Sequence, residues 1–484
     1  MIKKIMEKYN NLSVYVKASI WFMMCSFMQK GINVVITPII TRLLTTDEYG
    51  RYNVFNSWLG IVTVFVSMRI AWGVYTQGLV KFEEDRDKFS SSLQGLTLVL
   101  VLIWTIIYLL FHNFWNNIFS LTTVQMLAML VMIWATAAYD FWAAEQRVKL
   151  TYKALVAVTL LSSVAKPAVG ILLVLYSEDK VTAFILGLAL VEIVFFTGLF
   201  IVQMKKGKAF YSGFYWKYAL TMCVPLVPHY LSQTVLNSSD RIMIEKMCSS
   251  DEAGIYSLAY SLSIIMTLFN TALSQTVNPW IYKKIKEKQI GDITSIAYMC
   301  LMFVAVVNII LIVLAPEAVR IFAPEEYYDA IWIVPPVAMS VFFMFSYGLF
   351  ADFEFYFEKT VFISSATVAG AILNIILNYI FIDKFGYYAA GYTTLICYVL
   401  YALGHYCFMT RICRKEFGNN GPYNLKVLLS MSLIFLAAGF AVMFTYEHPV
   451  IRYSLAAVIA VMVFIFRKKI YQSIINLINL RKKS

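Results

Sequence analysis

Apolar runs of about 20 residues, each long enough to cross roughly 30 Å of hydrocarbon as a helix, recur along the whole chain with only short polar gaps between them. Their boundaries predict about fourteen spans: 17–41, 52–76, 91–112, 122–145, 151–176, 181–204, 216–240, 254–278, 291–315, 329–351, 361–382, 387–410, 424–446 and 450–467. No stretch remains for a soluble domain. Continuous runs of this kind exclude a β-barrel, whose strands alternate apolar and polar positions. The first run contains Gln29, Lys30 and Asn33 with no small-residue cleavage signature after it, so a retained helix is expected.

Two of the polar gaps are alike. Thr45-Thr46-Asp47-Glu48-Tyr49-Gly50-Arg51-Tyr52 is echoed by Ser249-Ser250-Asp251-Glu252-Ala253-Gly254-Ile255-Tyr256, an offset of 204 residues. In both, the carboxylates suit the start of a helix, where N–H groups point outward and the dipole is positive, and the glycine suits a tight connection between helices. Six spans separate the copies. An even offset implies a parallel repeat about an axis along the membrane normal, with any substrate path between the halves. The expected fold is therefore all-α and integral to the membrane. It comprises two six-helix lobes in parallel pseudo-two-fold repeat, 1–204 and 205–410, and a segment 411–484 with two additional transmembrane helices and a basic tail.

Composition agrees: of 484 residues, 60% are hydrophobic, 16% aromatic and only 14% charged, far below the quarter usual for soluble proteins. The net charge of +12 could suggest a polynucleotide partner, but its distribution points elsewhere. With gaps numbered alternately, one side receives roughly 29 Lys and Arg and the other roughly 8, which marks the rich side as cytoplasmic. Clusters at Lys3, Lys4, Lys8 and Lys17, at Lys205, Lys206 and Lys208, at Lys283 to Lys288, at Arg411 to Lys415 and in the tail from Arg467 place both termini inside. Anionic lipid headgroups account for the excess without nucleic acid. The seven cysteines have neither paired nor metal-type spacing and read as packing thiols.

Three cations lie within spans: Lys30, Arg69 and Lys166. At about 100° per residue, Ser19, Ser26, Lys30, Asn33, Thr37 and Thr41 share one face of the first span. A lone ammonium facing lipid costs about 2.5 to 3.5 kcal/mol, so Lys30 should face a watery cavity or an anion, or pair with Asp140 or Glu192. Arg69 points away from the polar stripe of its span and either binds a ligand or snorkels to the inner headgroups. Lys166 sits on a stripe with Thr159, Ser162 and Ser163, beside Pro167, which is either a bending point or a static kink. Glu192, among apolar neighbours, needs a partner, stays protonated or serves a coupling cation; Asp140 is the other coupling candidate. The gap Lys81–Lys88 suggests a turn with a short interfacial helix. In span seven, His229, Gln233 and Asp240 form a polar sector, readable as substrate contact or as a structural turn at a proline break. Asn374 and Asn378 line one side of span eleven, for sugar hydroxyls or for helix packing.

Several fragments in order carry a family resemblance: Thr37-Pro38 through Leu44 with the first octet, Pro225-Leu226-Val227-Pro228-His229, Ser238-Ser239-Asp240-Arg241-Ile242-Met243-Ile244, the second octet through Tyr260, Gln275 to Tyr282, Ala323 to Ala330, Ala371 to Asn378 and Asp383 to Gly386. Together they resemble bacterial polysaccharide flippases, the polysaccharide-transporter branch of the multidrug/oligosaccharidyl-lipid/polysaccharide exporter superfamily. That resemblance implies a two-lobed fold opening alternately to either side of the bacterial inner (cytoplasmic) membrane. It would move a polyprenyl-diphosphate-linked oligosaccharide to the external leaflet for capsule, O-antigen of lipopolysaccharide, teichoic acid or exopolysaccharide. A polysaccharide polymerase and glycosyltransferases are the implied functional partners.

Such a substrate has a diphosphate and sugars that hydrocarbon rejects and a polyprenyl tail that it accepts, so the protein need only shelter the head. Lys30, and with it Lys166 and Arg69, would offset the diphosphate, while Asn33, Gln233, His229, Asp240, Asn374 and Asn378 would hydrogen-bond the sugars. No catalytic constellation is visible: the four histidines lack metal-ligand spacing, no glycine-rich loop carries a Walker lysine, and no Ser or Cys has an evident base. The expectation is a transporter without cofactor, drawing on a proton or sodium gradient or on downstream consumption. A cation-coupled multidrug exporter of the same superfamily is the main alternative. A membrane polysaccharide polymerase or acyltransferase is remoter, since external gaps reach only about a dozen residues.

Overall fold

In the computed structural model, residues 13–458 and the isolated positions 461, 465 and 467 are described, and all regular structure among them is helical. The N-terminal lysines Lys3, Lys4 and Lys8, positions 459, 460, 462–464 and 466 of the last expected span and the tail beyond Arg467 lie outside the described residues. The helices in order are α1 Val14–Leu43, α2 Thr46–Ser67, α3 Gly73–Lys81, α4 Arg86–Leu110, α5 His112–Phe119, α6 Thr123–Val148, α7 Tyr152–Val174, α8 Lys180–Gly207, α9 Gly213–Cys223 and α10 Val227–Met247. They continue as α11 Ser250–Ile264, α12 Thr267–Lys286, α13 Ile293–Val313, α14 Ala315–Phe322, α15 Val334–Tyr356, α16 Thr360–Phe385, α17 Tyr388–Phe417 and α18 Leu425–Met443. A shorter apolar helix, α19, spans Pro449–Val458.

Among the described residues eleven helices are long and apolar enough to cross a membrane, covering the first, third to sixth and eighth to thirteenth expected spans. The chain is an all-α, multi-pass integral membrane protein. Three expected spans are not continuous helices; the eighth is interrupted by a turn at Ile265 and Met266, between α11 and α12. Span two breaks after Ser67, because Met68 and Arg69 both adopt the left-handed region at φ 49° and 46°, and the chain restarts as α3. Span seven breaks at Pro225, where a 3-10 turn at Val224–Leu226 joins α9 to α10. No separate interfacial helix forms between Lys81 and Lys88, since α4 already begins at Arg86.

The two similar octets fold as N-caps. Thr45 Oγ1 accepts from the Glu48 N–H at 3.2 Å while Glu48 Oε2 accepts from the Thr45 N–H at 2.9 Å, a reciprocal capping box. At the second copy the Glu252 N–H donates to Ser249 Oγ at 3.2 Å, and that hydroxyl donates to Glu252 Oε2 at 3.0 Å. The expected role of the glycines is corrected here. With each helix starting directly after its hydroxyl cap, Gly50 and Gly254 are buried positions inside α2 and α11, not connections. At their other ends α8, α12 and α17 close with Lys205 and Lys206, with Lys283, Lys284 and Lys286, and with Arg414 and Lys415, which complement the exposed carbonyls of a helix C-terminus.

Packing divides the chain into two compact units that meet in sequence between Ser238 and Ser239, inside α10. In the first, α8 packs against α4, α6 and α7, and α1 leans on α7. Burying apolar surface gains little over lipid, so close packing and hydrogen bonds between helices carry much of the stability. The approach of α7 to α8 depends on Gly170 and Gly187: a Cβ on Gly187 would lie 2.5 Å from the Gly170 Cα. The broken second span is packed in by Tyr75 of α3, which stacks on Phe89 at 5.7 Å, meets Phe141 edge-on at 4.7 Å and shares a 2.6 Å hydrogen bond with Ser90. In the second unit α15 is the central helix, packed on α11, α12, α13, α17 and α18. Residues such as Leu102, Ile106 and Leu110 on α4 and Ile372 and Ile376 on α16 remain exposed, as lipid-facing positions should.

Candidate functional site

The polar residues singled out by sequence fall into three groups. Lys30 and Asn33 are exposed on α1, on the flank of the face that α1 buries through Ala18 and Cys25. Next to Lys30 in sequence but off that polar stripe, Gln29 donates to Ser163 of α7 at 3.3 Å. Lys30 forms no ion pair among the described residues, neither with Asp140 nor with Glu192. Gln233 is likewise exposed on α10, and His229 one turn earlier is half-buried with its Nδ1 unpartnered.

In the second group each charge has met a partner. Lys166 Nζ lies 2.6 Å from Glu192 Oε1, Thr136 donates to Glu192 Oε2 at 3.1 Å, and the Lys166 ammonium sits 5.2 Å from the centre of the Phe196 ring. Pro167 does not interrupt α7. Arg69, at the break between α2 and α3, places its guanidinium 4.4 Å from the centre of the Trp72 ring and reaches Thr234 Oγ1 at 3.4 Å. The Trp72 indole N–H in turn donates to Asp140 at 3.2 Å. Arg69, Trp72 and Asp140 thus form one chain of contacts, with Arg69 Nε buried and unpartnered. Trp72 carried no polar signal in the sequence; only the reversal at Met68 and Arg69 brings it under the guanidinium.

The third group is closed. Asp240 is 1% exposed and accepts from the Tyr256 hydroxyl at 2.6 Å, the Asn378 amide at 2.6 Å and the Thr394 hydroxyl at 3.1 Å. Asn374 accepts from Ser239 at 3.1 Å and from Asn378 at 3.3 Å, and Thr393 donates to Asn378. These residues tie α10, α11, α16 and α17 of the second unit together. Tyr256, the last residue of the second octet, is the one member that the repeat brought to notice; Thr393 and Thr394 gave no signal.

A cleft of about 410 Å³ lined by Glu83 to Lys88, Lys149, Lys206 and Gly207 lies apart from all these residues. Some of its charges are paired: Lys149 reaches Asp87 at 3.5 Å and, beyond the lining, Glu145 at 2.5 Å, and Arg86 meets Glu83 at 3.0 Å. Burial alone would depress the Lys149 ammonium, but the hydrogen bonds and charges of Glu145 and Asp87 outweigh it and hold it above its ordinary value. Among the described residues no group of His, Cys, Asp and Glu is arranged to hold a metal.

The family model described as polysaccharide biosynthesis protein matches residues 15–285, more than half of the chain. The chain belongs to that family. A protein of the Lsg locus of Haemophilus influenzae is 20% identical over 384 residues, covering 74% of this chain and 88% of that protein. Among solved structures, an inward closed conformation of the lipid II flippase MurJ covers 93% of this chain and all of its own, with a TM-score of 0.69 and 16% identity. An inward-facing multidrug resistance MATE family transporter of the MOP superfamily covers 80% of this chain and 96% of its own, at a TM-score of 0.55 and 13% identity. This member of the polysaccharide biosynthesis family therefore shares its fold with transporters.

Proposed function

We propose that this protein is a transporter, not an enzyme, that flips a polyprenyl-diphosphate-linked oligosaccharide from the cytoplasmic to the external leaflet of the bacterial inner membrane by alternating access, for cell-surface polysaccharide synthesis. The observation that carries the reading is Lys30, an ammonium at mid-span on an exposed polar strip of α1 without an ion pair among the described residues. An uncompensated cation is costly in hydrocarbon and is retained where an anion comes to it. Family membership and a fold shared with a lipid II flippase support the same substrate class.

In this reading 1–204 and 205–410 are the two six-helix lobes of a parallel repeat within about fourteen spans, 411–484 is appended, and both termini are cytoplasmic. Lys30 and Arg69 take the diphosphate and Asn33, Gln233 and His229 the sugars. Lys166 is released to substrate only if Glu192 takes up a proton, which gives Glu192 its coupling role, with Asp140 beside Arg69 as the second candidate. Asp240, Asn374 and Asn378 contribute only in a conformation that opens their network.

The test is to delete the gene, identify the lipid-linked oligosaccharide that accumulates on the cytoplasmic side, and ask whether Lys30→Ala restores export. Accumulation and failed rescue at normal protein level are expected. No accumulation, with altered drug susceptibility instead, points to a multidrug exporter.

A further inference from the structure

We propose that Glu354 and His405 form a proton-binding site within the membrane-spanning part of the second unit, holding one exchangeable proton. Glu354 lies near the C-terminal end of α15 and His405 in the middle of α17, the helix on which α15 packs most extensively. His405 Nδ1 lies 2.9 and 2.8 Å from the two Glu354 carboxylate oxygens, and the two side chains are 1% and 0% exposed. Neither makes another ion pair among the described residues. His405 Nε2 is buried with no hydrogen-bond partner.

That geometry is the basis for assigning the protons. A nitrogen held between two carboxylate oxygens carries the N–H, so Nδ1 donates and the remaining freedom lies at Nε2. With Nε2 bare, the pair is a neutral imidazole beside a carboxylate and bears one negative charge. When Nε2 accepts a proton, one N–H bond forms and the pair becomes imidazolium and carboxylate, with no net charge. A net charge enclosed by low-dielectric surroundings is costly, whereas a touching ion pair recovers much of its desolvation. The proton therefore exchanges at the unpartnered nitrogen.

The surrounding groups do not supply another counter-charge. From α15 Tyr347 faces the imidazole with ring centres 5.5 Å apart, and from α17 Tyr401 lies edge-on at 4.4 Å with its hydroxyl bonded to Thr367 of α16 at 3.0 Å. α16 otherwise presents the apolar ring of Phe362 at 5.7 Å. Asp352, two residues before Glu354, is engaged with Tyr282 of α12, and Lys359 in the following turn meets Glu354 through its backbone N–H, which donates to the Glu354 carbonyl at 2.8 Å. A role for this proton in driving transport rests on the function proposed above; its binding does not.

The experiment uses the full chain in lipid nanodiscs with 15N-labelled histidine and His112→Gln, His229→Gln and His448→Gln, leaving His405 as the single histidine. Its ring nitrogens are followed by NMR from about pH 5 to about pH 9. We expect a single titration whose midpoint moves by about one pH unit or more, a tenfold change in proton affinity, when Glu354→Gln is added. Should that variant not fold, Glu354→Asp, which retracts the carboxylate by one methylene, is expected to move the midpoint measurably. Ring resonances that stay fixed over the whole range, or a midpoint indifferent to Glu354, overturn the proposal. The readout does not depend on what the protein transports, so a failure counts against the site alone.

Discussion

The Lys166 ammonium lies 2.6 Å from the Glu192 carboxylate, between two helices that Gly170 and Gly187 allow to touch. Glu192 is nearly enclosed, whereas the Lys166 side chain is 27% exposed, so the pair is closed on one side and open on the other. Removing one partner strands the other. Glu192→Gln or Lys166→Met should each lower stability by about 2 to 3 kcal/mol, toward the lower end for buried pairs because Lys166 is part-exposed. The double substitution should recover most of the loss. Thermal unfolding of the detergent-purified variants measures both, and a double variant no more stable than the singles would show that the pair is not what the singles disturb.

Lengthening Gly187 tests the same contact from the backbone. A Cβ there meets the Gly170 backbone, which cannot rotate aside as a flexible side chain would. Gly187→Leu should therefore part α7 from α8 and destabilise the first unit more than Gly198→Leu on the same helix, where nothing lies within 4 Å. Equal melting temperatures for the two variants would contradict this packing.

Lys30 should behave in the opposite way to Lys166. With no ion pair to lose among the described residues, Lys30→Ala should leave stability within about 0.5 kcal/mol of the parent while export fails. Lys30→Arg, which keeps the charge, should retain export in part. A loss of melting temperature in Lys30→Ala comparable to that of the Lys166 variants would assign Lys30 a structural role.

Asp240 anchors three hydrogen bonds while almost fully buried, and bonds to a charged group contribute about 1.5 to 3 kcal/mol each before compensation. Asp240→Ala should destabilise the second unit by about 3 kcal/mol or more, and Tyr256→Phe by about 1 kcal/mol, as followed by thermal unfolding. Unaltered stability in Asp240→Ala would mean that the carboxylate is not the hub of the network.

The helix caps give a smaller, paired effect. Thr45→Ala and Ser249→Ala should each cost about 1 kcal/mol, because each removes the acceptor for an otherwise unsatisfied N–H. Amide hydrogen exchange confined to the first turn of α2 or α11 is the suitable readout, and protection unchanged in both variants would count against the capping assignment.

The amino-acid sequence by itself determined the class of the molecule, because a run of apolar residues long enough to span hydrocarbon has one low-energy backbone, the helix that satisfies its own N–H and C=O groups. It held the capping signal at Thr45 and Ser249, a contact over three residues, although the expected spans began only at 52 and 254, and it marked the polar faces of α1 and α7, since those follow from the helical period alone. Tertiary structure decided everything that depends on two distant stretches meeting. Lys166 with Glu192, Asp240 with Asn378 and Glu354 with His405 are separated by 26, 138 and 51 residues, and no periodicity records which of several plausible partners a buried charge will reach. The break at Met68 and Arg69 was hidden for a related reason: neither is Gly or Pro, so the left-handed turn is not favoured locally and is held by the packing of α3 through Tyr75 against Phe89 and Phe141.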